Sequence, residues 1–505
     1  MQDDLIEQIE AARRAGLDAA RSAAVDGVHA KGKLTARERL ALLLDPDSFT
    51  EFGGLAGKTT KVDDAVAADG LVSGVGDVVG RPVVVASYDV SADGGRQSDR
   101  NLRKLSKLLY LAVEHRWPFV CFVDGGGARD DQPLVPPPIA VTPRGRFDLL
   151  DGLAELNGWA PSIAIVSGEC NEGHSAIAML ADFTVATDGS SISAHGGPSI
   201  PVKDYAKSGD LDLIVADEAQ AIQATRRYLE LYLHPVITEF EIAQDALQIA
   251  DLIPENRRRP YDMRGVMNAL VDKDSALELA PAWGRSMLTA LARIAGRAVG
   301  IYANQPKSPL AGAIDAAAAD KAARFVELCD AYELPIVSLI DNPGYMVGPK
   351  AEREGIARHH ARPLAALHHR SVPLYAVQIR KAYGLGPYAM SGWGSAQRMP
   401  DLRLAWPSVE SGGMSLEGAA YLVKRKEIHA AKNSADAMAI RDAYAEKMRD
   451  ANSGLRAGRS YQFDDVIAPN ETRPRLIAML QRLPLRDMHP TAADGGVKKH
   501  TIDLR

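Results

Sequence analysis

The segment Arg380-Lys-Ala-Tyr-Gly-Leu-Gly-Pro-Tyr-Ala-Met390 sets the architecture of this chain. It follows the apolar run Pro373-Leu-Tyr-Ala-Val-Gln-Ile379, which we predict to be a buried strand. A helix is expected after the turn, because Pro387 suits the first helical positions. Gly384 and Gly386 allow a sharp turn, so that the unpaired N–H groups of the helix start converge on one point. Such a turn is suited to stabilising negative charge on an oxygen atom.

The same arrangement occurs a second time, in the segment Pro161-Ser-Ile-Ala-Ile-Val-Ser-Gly-Glu-Cys-Asn-Glu-Gly-His-Ser-Ala-Ile-Ala-Met179. Four pairs of corresponding landmarks are separated by 216, 217, 212 and 219 residues: Gly80/Gly296, Asp124/Asp341, Pro161/Pro373 and Asp182/Asp401. A nearly constant offset indicates an internal repeat, and it predicts a domain boundary near residues 255–262. We therefore expect two domains, residues 1–258 and 259–505.

Strands alternate with helices in each half, which predicts α/β units with mainly parallel strands and right-handed crossovers. The first copy is expected to begin with a strand over Val79–Tyr88 and the second with one over Ala295–Ile301. The next predicted strand of the first copy is Phe119–Val123, which ends in a glycine-rich turn.

Composition argues against several classes of function. Hydrophobic residues make up 46% of the 505 residues and charged residues 25%, as in ordinary globular proteins. The formal net charge of −6 does not favour nucleic acid as a partner. No apolar run reaches the ~18 residues that a membrane-spanning helix needs, and no signal-peptide pattern is present. The three cysteines, Cys121, Cys170 and Cys329, are far apart in sequence and favour a reducing cytoplasm.

Neither a metal site nor a side-chain nucleophile is predicted. The pairs His359-His360 and His368-His369 have no Asp or Glu nearby at ligand spacing, so they are expected to be surface or interface residues. Glu172 and His174 are two residues apart, and on a helix their side chains would point in different directions. A G-x-S-x-G nucleophile elbow does not occur.

Six motifs run through most of the chain: Lys31-Gly-Lys-Leu-Thr-Ala-Arg-Glu-Arg39, Asp124-Gly-Gly-Gly-Ala-Arg129, Gly300-Ile-Tyr-Ala-Asn-Gln-Pro306, Lys321-Ala-Ala-Arg-Phe-Val326, Asp341-Asn-Pro-Gly-Tyr-Met-Val-Gly348 and Arg380-Lys-Ala-Tyr-Gly384. In identity and order they resemble the carboxyltransferase (β) subunits of biotin-dependent acyl-CoA carboxylases, of the propionyl-CoA carboxylase type, within the crotonase-like superfamily. The resemblance implies two tandem crotonase-like domains, the N-terminal one for acyl-CoA and the C-terminal one for carboxybiotin.

The resemblance also implies a chemistry that uses both turns. One oxyanion site polarises the thioester carbonyl of acyl-CoA to stabilise an enolate, and the other polarises the ureido oxygen of carboxybiotin. The implied donors of the acyl-CoA site are the N–H groups of Glu172 and Gly173. The substrate-binding residues carried over with them are Gly125, Gly126, Gly127, Ala128, Arg129 and His174. The implied donors of the biotin site are Leu385 and Gly386, and the residues implied around the cofactor are Tyr383, Gly384, Gly344 and Tyr345.

Partners and an assembly are implied as well. The chain carries no biotin-attachment Met-Lys-Met motif, the nearest match being Glu446-Lys-Met448, and no ATP-binding carboxylase region. A separate biotin carboxylase/biotin carrier subunit is therefore expected to bring the biotin. The family forms homo-hexamers, as trimers of dimers, with each active site between the N-terminal half of one subunit and the C-terminal half of another.

One residue departs from the family's pattern. The first turn of the family reads Cys-x-Gly-Gly or Cys-x-Ala-Gly, whereas this chain has Cys170-Asn-Glu-Gly173. Glu172 either turns outward at the helix start, where the helix dipole favours a carboxylate, or enters the pocket and alters the substrate or the reaction. Two alternatives stay open beside the carboxyltransferase. One is a biotin-independent crotonase-like enzyme (an acyl-CoA decarboxylase, hydratase or hydrolase) that uses Glu172 or His174, and the other is an inactive subunit that serves assembly.

Overall fold

The computed structural model describes residues 2–57, 67–129, 149–194, 197–242, 244–392, 399–483 and 500–503. These residues form two compact units. The first unit extends to His234 and includes residues 500–503, and the second begins at Pro235. The boundary between the two carboxyltransferase domains, expected after residue 258, stays a prediction. Among the described helices, none is long and apolar enough to cross a membrane.

The first unit is an α/β fold built on one sheet. Its helices are α1 (Gln2–Ala15), α2 (Ser22–His29), α3 (Ala36–Leu43), α4 (Asp99–His115), α5 (Leu149–Leu156), α6 (Gly173–Leu180), α7 (Val202–Ser208) and α8 (Glu218–Leu233). Its strands are β1 (Thr50–Glu51), β2 (Leu71–Val78), β3 (Arg81–Tyr88), β4 (Phe119–Gly126), β5 (Ser162–Asn171), β6 (Phe183–Thr187), β7 (Ser191–Ser193), β8 (Ile200–Pro201) and β9 (Leu213–Val215). The strand order is β1-β2-β3-β4-β5-β6-β9, with β7 beside β5 and β8 beside β7.

The second unit repeats this plan. Its helices are α9 (Met263–Leu270), α10 (Ala316–Ala331), α11 (Pro349–Arg353), α12 (Ile356–His369), α13 (Gly386–Ser391), α14 (Leu416–Val423), α15 (Arg425–His429), α16 (Ser434–Ala451), α17 (Gly454–Arg459) and α18 (Thr472–Leu480). Its strands are β10 (Leu277–Leu279), β11 (Met287–Ile294), β12 (Arg297–Asn304), β13 (Ile336–Asn342), β14 (Leu374–Tyr383), β15 (Leu402–Ala405), β16 (Glu410–Gly412) and β17 (Asp465–Val466). The strand order is β10-β11-β12-β13-β14-β15-β17, with β16 beside β14.

Both sheets contain the same hairpin followed by parallel strands. Strands β2 and β3 are antiparallel, as are β11 and β12, and the connections are Val79-Gly80 and Ala295-Gly296. The two central residues have φ of 50° and 69° in the first turn and 50° and 76° in the second, which matches the twist of a tight hairpin. The strand expected over Val79–Tyr88 therefore begins only at Arg81. Parallel pairing runs from β3 to β6 and from β12 to β15, which confirms the predicted α/β repeat.

A lysine secures the same corner of each unit. The Nζ of Lys104, on α4, donates to three carbonyl groups, those of Gly53, Ala68 and Leu71. The Nζ of Lys321, on α10 and 217 residues later in the sequence, donates to the carbonyl groups of Ala280, Trp283 and Met287. Burial lowers the pKa of Lys104 to about 8. Because an ammonium group has three donors, one side chain satisfies three carbonyl groups, and the repeat extends to this detail.

The hydrophobic core of each unit packs on its sheet. Phe119, Phe122 and Phe183 are fully buried in the first unit. In the second unit the core cluster includes Tyr375 and Trp406. Because the central strands are buried along most of their length, their ends are fixed, and the turns that follow them are held by the core.

Candidate active site

The first glycine turn lies where β5 ends and α6 begins. Gly126 pairs with Asn171 in the β4–β5 ladder, so the glycine segment after β4 lies beside the turn after β5. Gly125, Gly126 and Gly127 have φ of 111°, 145° and 79°, values that favour glycine. A Cβ on Gly126 would come within 2.7 Å of the Asn171 carbonyl oxygen. The structure thus brings the two predicted segments of the acyl-CoA site together.

The two predicted donors at this turn are in different situations. The N–H of Glu172 donates to the carbonyl oxygen of Ser193 at 3.2 Å. Gly173 is the first residue of α6, and its N–H has no acceptor among the described residues. The Gly173 backbone is closely enclosed, because a Cβ there would overlap Oε1 of Gln97. Gly173 therefore offers the unshared donor.

Glu172 is held in a strained backbone conformation. Its φ of 52° and ψ of −117° lie in a region that residues with a Cβ rarely adopt. The side chain is exposed and makes no capping hydrogen bond to α6. Its Oε2 lies 3.5 Å from the position that a Cβ on Gly127 would occupy. The carboxylate therefore lies over the glycine segment, and within the described part of the chain it has no ion-pair partner.

His174 lies beneath the turn and is completely buried. Its ring meets that of Tyr88 edge-on, with a centroid separation of 4.0 Å and an interplanar angle of 63°. In the described ranges neither ring nitrogen has a hydrogen-bond partner of standard geometry, although the Gly125 backbone interacts with the ring. Burial lowers the pKa of His174 to about 4, despite the nearby Asp124 carboxylate. The imidazole is therefore neutral at neutral pH and has no access to solvent.

Arg129 and Ala128 hold the glycine segment from its far end. The buried Arg129 guanidinium donates to the Asp69 carboxylate and, at 2.8 Å, to the Asp69 carbonyl oxygen. Its Nε lies 3.3 Å from the Asp93 carboxylate. Ala128 forms a β-bridge with Gln97, whose N–H donates to the Gly127 carbonyl. Arg129 is thus engaged within the protein, and its role in the site is positional.

Buried ion pairs fix the end of β4. Asp124 pairs with Lys33 Nζ at 2.8 Å and with Arg39 Nη2 at 2.7 Å. Both cations belong to the motif over Lys31–Arg39. Arg39 lies on α3, which begins with a capping box formed by Thr35 and Glu38, and Lys33 lies just before that helix. The motif therefore neutralises a buried carboxylate directly before the glycine segment, which explains its charged residues.

The end of β13 is fixed in a similar way. The Asp341 carboxylate accepts hydrogen bonds from Arg380 Nε and from the Tyr261 hydroxyl, both at 2.9 Å. At the end of β14, the Tyr383 hydroxyl donates to Glu410 Oε2 at 2.8 Å. Glu410 is buried and holds the strand that precedes the second turn. The polar groups at these strand ends are thereby satisfied.

The second glycine turn links β14 to α13. Gly384 has φ of 58°, and its N–H donates to the Gly412 carbonyl at 2.9 Å. Leu385, which is 59% exposed, and Gly386 follow, and neither N–H has an acceptor in the part of the chain that the structure describes. A Cβ on Gly386 would overlap Oδ1 of Asn342. This turn therefore presents two free donors, and it has no space for a side chain at Gly386.

Gly344 and Tyr345 reach this turn from the end of β13. The N–H of Gly344, which has φ of 110°, donates to Asn342 Oδ1 at 3.0 Å. The Cα of Gly344 lies 3.0 Å from the position of a Cβ on Gly386. The Tyr345 ring stacks on the His360 ring with a centroid separation of 3.5 Å. The structure thus brings Gly344 to the turn that Tyr383 and Gly384 form, whereas the Tyr345 ring packs on His360 of α12.

The histidine pairs of α12 are not arranged as a metal site. His359 Nδ1 pairs with the Asp320 carboxylate at 2.8 Å, and this partner comes from α10 rather than from nearby in the sequence. Within the described ranges, no group of three or more His, Cys, Asp or Glu side chains is arranged to hold a metal ion. The histidine has a structural partner, which sequence spacing alone did not indicate.

The role of two amide side chains that support the turns was not predicted from the sequence. Gln97 packs against Gly173, and Asn342 packs against Gly386. Asn342 lies within the motif over Asp341–Gly348. For Gln97 the sequence offers only one signal, the helix N-cap at the next residue, Ser98. Both contacts join segments that are far apart in sequence, so spacing within one segment does not reveal them.

Comparisons with known proteins extend these observations. The methylmalonyl-CoA carboxyltransferase 12S subunit of Propionibacterium freudenreichii subsp. shermanii is 34% identical over 90% of this chain and 90% of its own length. The propionyl-CoA carboxylase beta chain of Saccharopolyspora erythraea is 33% identical over 94% of this chain and 92% of its own length.

Solved structures agree with this relationship. A transcarboxylase 12S crystal structure, with methylmalonyl-CoA and methylmalonic acid bound, superposes with a TM-score of 0.77, at 32% identity and 97% coverage of both chains. A single-chain, multi-domain long-chain acyl-CoA carboxylase superposes with a TM-score of 0.85 at 34% identity, over 94% of this chain and 48% of the larger one. The expected tandem crotonase-like fold is thereby confirmed. Residues 27–486 match the carboxyl transferase domain, and the chain belongs to this family of carboxyltransferases.

Proposed function

We propose that this chain is the carboxyltransferase subunit of a biotin-dependent acyl-CoA carboxylase and transfers CO2 from carboxybiotin to the α-carbon of an acyl-CoA. One observation carries the proposal. Each unit ends a central strand in a glycine turn with a free N–H, at Gly173 and at Gly386, and each turn is enclosed by an amide oxygen. Two oxyanion-binding turns in one chain suit a reaction in which charge changes on two different oxygen atoms.

The Gly173 turn is the proposed acyl-CoA site. The Gly173 N–H would donate to the thioester carbonyl oxygen, which gains negative charge when the α-proton leaves. Gly125, Gly126 and Gly127 leave space for the substrate because they have no side chains. The Glu172 N–H is shared with the Ser193 carbonyl and is the weaker donor. Ala128, Arg129 and His174 position the segment, since the side chains of Arg129 and His174 are buried.

The Gly386 turn is the proposed biotin site. The free N–H groups of Leu385 and Gly386 fit the ureido oxygen of biotin, which is a hydrogen-bond acceptor. Carboxybiotin, when bound, supplies the carboxyl group and a nitrogen that can act as base. The chain then needs no side-chain acid or base, and its own contribution is hydrogen-bond donors and positioning. The residues proposed to surround the cofactor are Gly344, Tyr345, Tyr383 and Gly384.

The proposed function includes partners. A separate subunit with biotin carboxylase and biotin carrier functions would deliver the biotin, since the chain is similar to beta subunits of biotin-dependent acyl-CoA carboxylases. The 12S crystal structure is of a hexamer assembly, and we propose a homo-hexamer for this chain as well. We place the protein in the cytoplasm, where its three buried, free cysteines would stay reduced.

Copurification tests this assignment. Protein isolated from its own cells under native conditions should carry a biotinylated protein that streptavidin detects on a blot. Addition of that partner with ATP and bicarbonate should then allow acyl-CoA carboxylation, and removal of the partner should abolish it. Turnover of acyl-CoA by the isolated chain without any biotin would contradict the proposal.

A biotin-independent enolate enzyme is the second candidate. The Glu172 carboxylate beside the acyl-CoA turn favours it, because the structure shows no partner for that carboxylate among the described residues. A carboxylate about 4 Å from an enolate oxygen would oppose the charge by about 4 kcal/mol at an effective dielectric constant near 20. Glu172 would then have to act as a proton donor or acceptor. His174 is less suited to this role, because its ring is fully buried.

A further inference from the structure

The described residues supply no counter-charge for the Glu172 carboxylate at the acyl-CoA turn. Glu172 precedes α6 but makes no capping hydrogen bond, and it lies against Gly127 in the glycine segment. The side chain is exposed, so a ligand bound over the glycine segment would meet it. In the described part of the chain, no cation pairs with it.

Cations near the glycine segment are already engaged elsewhere. Arg129, two residues after Gly127, is buried on Asp69 and Asp93. Lys33 is paired with Asp124 directly before the segment. His174 is neutral and closed off from solvent, because its burial disfavours the charged form. None of these three side chains can therefore act as the counter-charge of Glu172.

The strained backbone fixes where this charge lies. A positive φ at a residue with a Cβ is tolerated when the surrounding contacts define it, and here Gly126 pairs with Asn171 and the Glu172 N–H donates to Ser193. The carboxylate is therefore held over Gly127, and Gly173, the proposed donor to the thioester, is the next residue in the chain. A substrate with an apolar acyl chain would leave this charge uncompensated, whereas a hydrogen-bond donor on the acyl chain would pair with it.

We propose that Glu172 makes this carboxyltransferase selective for acyl-CoA thioesters whose acyl chain carries a hydrogen-bond donor, an ammonium or hydroxyl group, at its third carbon or just beyond. This inference rests on the proposed function of the Gly173 turn. The donor would bind between the carboxylate and the developing enolate, so that the Glu172 charge attracts the substrate instead of opposing the reaction.

A matched series of thioesters tests the selectivity. Butyryl-CoA, 3-hydroxypropionyl-CoA and β-alanyl-CoA have acyl groups of nearly equal size and differ in the terminal methyl, hydroxyl or ammonium group. Calorimetric titration of the full chain gives their affinities without any need for turnover. We expect β-alanyl-CoA to bind at least about tenfold more tightly than butyryl-CoA, with 3-hydroxypropionyl-CoA between them.

Variants assign the preference to one carboxylate. Glu172→Gly should remove the preference for both donors and raise the affinity for butyryl-CoA. Glu172→Gln should remove most of the preference for the ammonium group but retain part of that for the hydroxyl group. Glu169→Gln is the matched control, because Glu169 is an exposed carboxylate near the end of β5, three residues before Glu172, and the preference should persist in this variant.

The outcomes separate this inference from the function on which it rests. Equal affinities of the wild-type chain for the three thioesters, or loss of the preference in Glu169→Gln, would overturn the selectivity alone. A failure of all three thioesters to bind would overturn the proposed acyl-CoA site itself, and this inference with it.

Discussion

Gly386 has no space for a side chain, because Asn342 Oδ1 occupies the position of its Cβ. A valine side chain there would distort the backbone of the second turn. We expect Gly386→Val to lower the rate of carboxybiotin-dependent transfer by about 10²–10³-fold, the effect of losing one oxyanion donor at about 3–4 kcal/mol. Affinity for acyl-CoA should change little, because the Gly173 turn belongs to the other unit.

Gly413→Val is the matched control for this variant. Gly413 lies near the same turn, and no described atom lies within 4 Å of a Cβ placed there. Steady-state kinetics with titration of acyl-CoA binding compares the two variants. Wild-type transfer by Gly386→Val would count against the assignment of the biotin site.

Replacement of Glu172 by glycine should stabilise the protein. Its φ of 52° and ψ of −117° carry a strain of roughly 1–3 kcal/mol, and glycine loses about 0.5–1 kcal/mol through its greater freedom in the unfolded chain. We expect Glu172→Gly to raise the free energy of unfolding of the first unit by about 1 kcal/mol. Urea denaturation monitored by circular dichroism measures this free energy. A lower midpoint for the variant than for wild type would show that the Glu172 backbone is not strained.

His174 should make stability depend on pH. Burial lowers its pKa from 6.5 to about 4, while the Gly125 backbone and the Asp124 carboxylate, both on β4, oppose the shift and Tyr88 on β3 covers the ring. Between these pH values the unfolded chain binds the proton and the folded chain does not, so stability falls as pH falls from 6.5 to 4. The loss for this group is of the order of 3 kcal/mol.

His174→Phe removes this titration. Relative to wild type, the variant should therefore gain stability as the pH is lowered from 7 to 4, as measured by urea denaturation at several pH values. A stability difference between the two proteins that stays constant over this range would contradict a neutral, buried His174.

At the level of elements, the two lysine clusters predict parallel effects. Lys104 of α4 and Lys321 of α10 each satisfy three carbonyl groups at the corner where β2 or β11 begins. A methionine has similar length but no donors, so each Lys→Met change should destabilise its own unit by roughly 3 kcal/mol. Hydrogen exchange of β2 and β11 locates the effect. Lys107→Met, an exposed position on α4, should have almost none, and equal effects of Lys104→Met and Lys107→Met would refute the role of the cluster.

The elements were predictable where one segment carries the signal. The apolar run ending at Val123 and the glycines after it indicate a strand and turn, and the structure extends β4 to Gly126. The run from Val79 was predicted to be continuous strand, but Val79 and Gly80 form a hairpin turn with positive φ. Nothing in the residue type of Val79 indicates this conformation, because valine disfavours it and the pairing of β2 with β3 imposes it.

The site was predictable to a smaller extent than the fold. The repeat offset located both glycine turns, because glycine and proline act locally on the backbone. The Ser193 acceptor, the amide side chains of Gln97 and Asn342, and the position of the Glu172 carboxylate over Gly127 all depend on contacts between distant segments. Sequence left two orientations of Glu172 open, and only the packing of β4 against β5 distinguishes them.

At the scale of the whole molecule, we propose that the two units have different roles. In this proposal the Gly173 turn binds the acyl group, and the Gly386 turn binds biotin. Gly173→Val should therefore weaken acyl-CoA binding, because the Gln97 side chain would have to move away from the turn to admit a Cβ. Titration with CoA thioesters checks this, and unchanged affinity would argue that acyl-CoA binds elsewhere.

The most direct measurement of the central claim is the reverse reaction. The full chain is incubated with malonyl-CoA or methylmalonyl-CoA, with and without biocytin as a soluble biotin, and the loss of the carboxylated thioester is followed by chromatography. We predict a loss that requires biocytin, that Gly386→Val and Gly173→Val both slow strongly, and that Gly413→Val retains. A rate of loss that is the same without biocytin, or that survives in Gly386→Val, would contradict it.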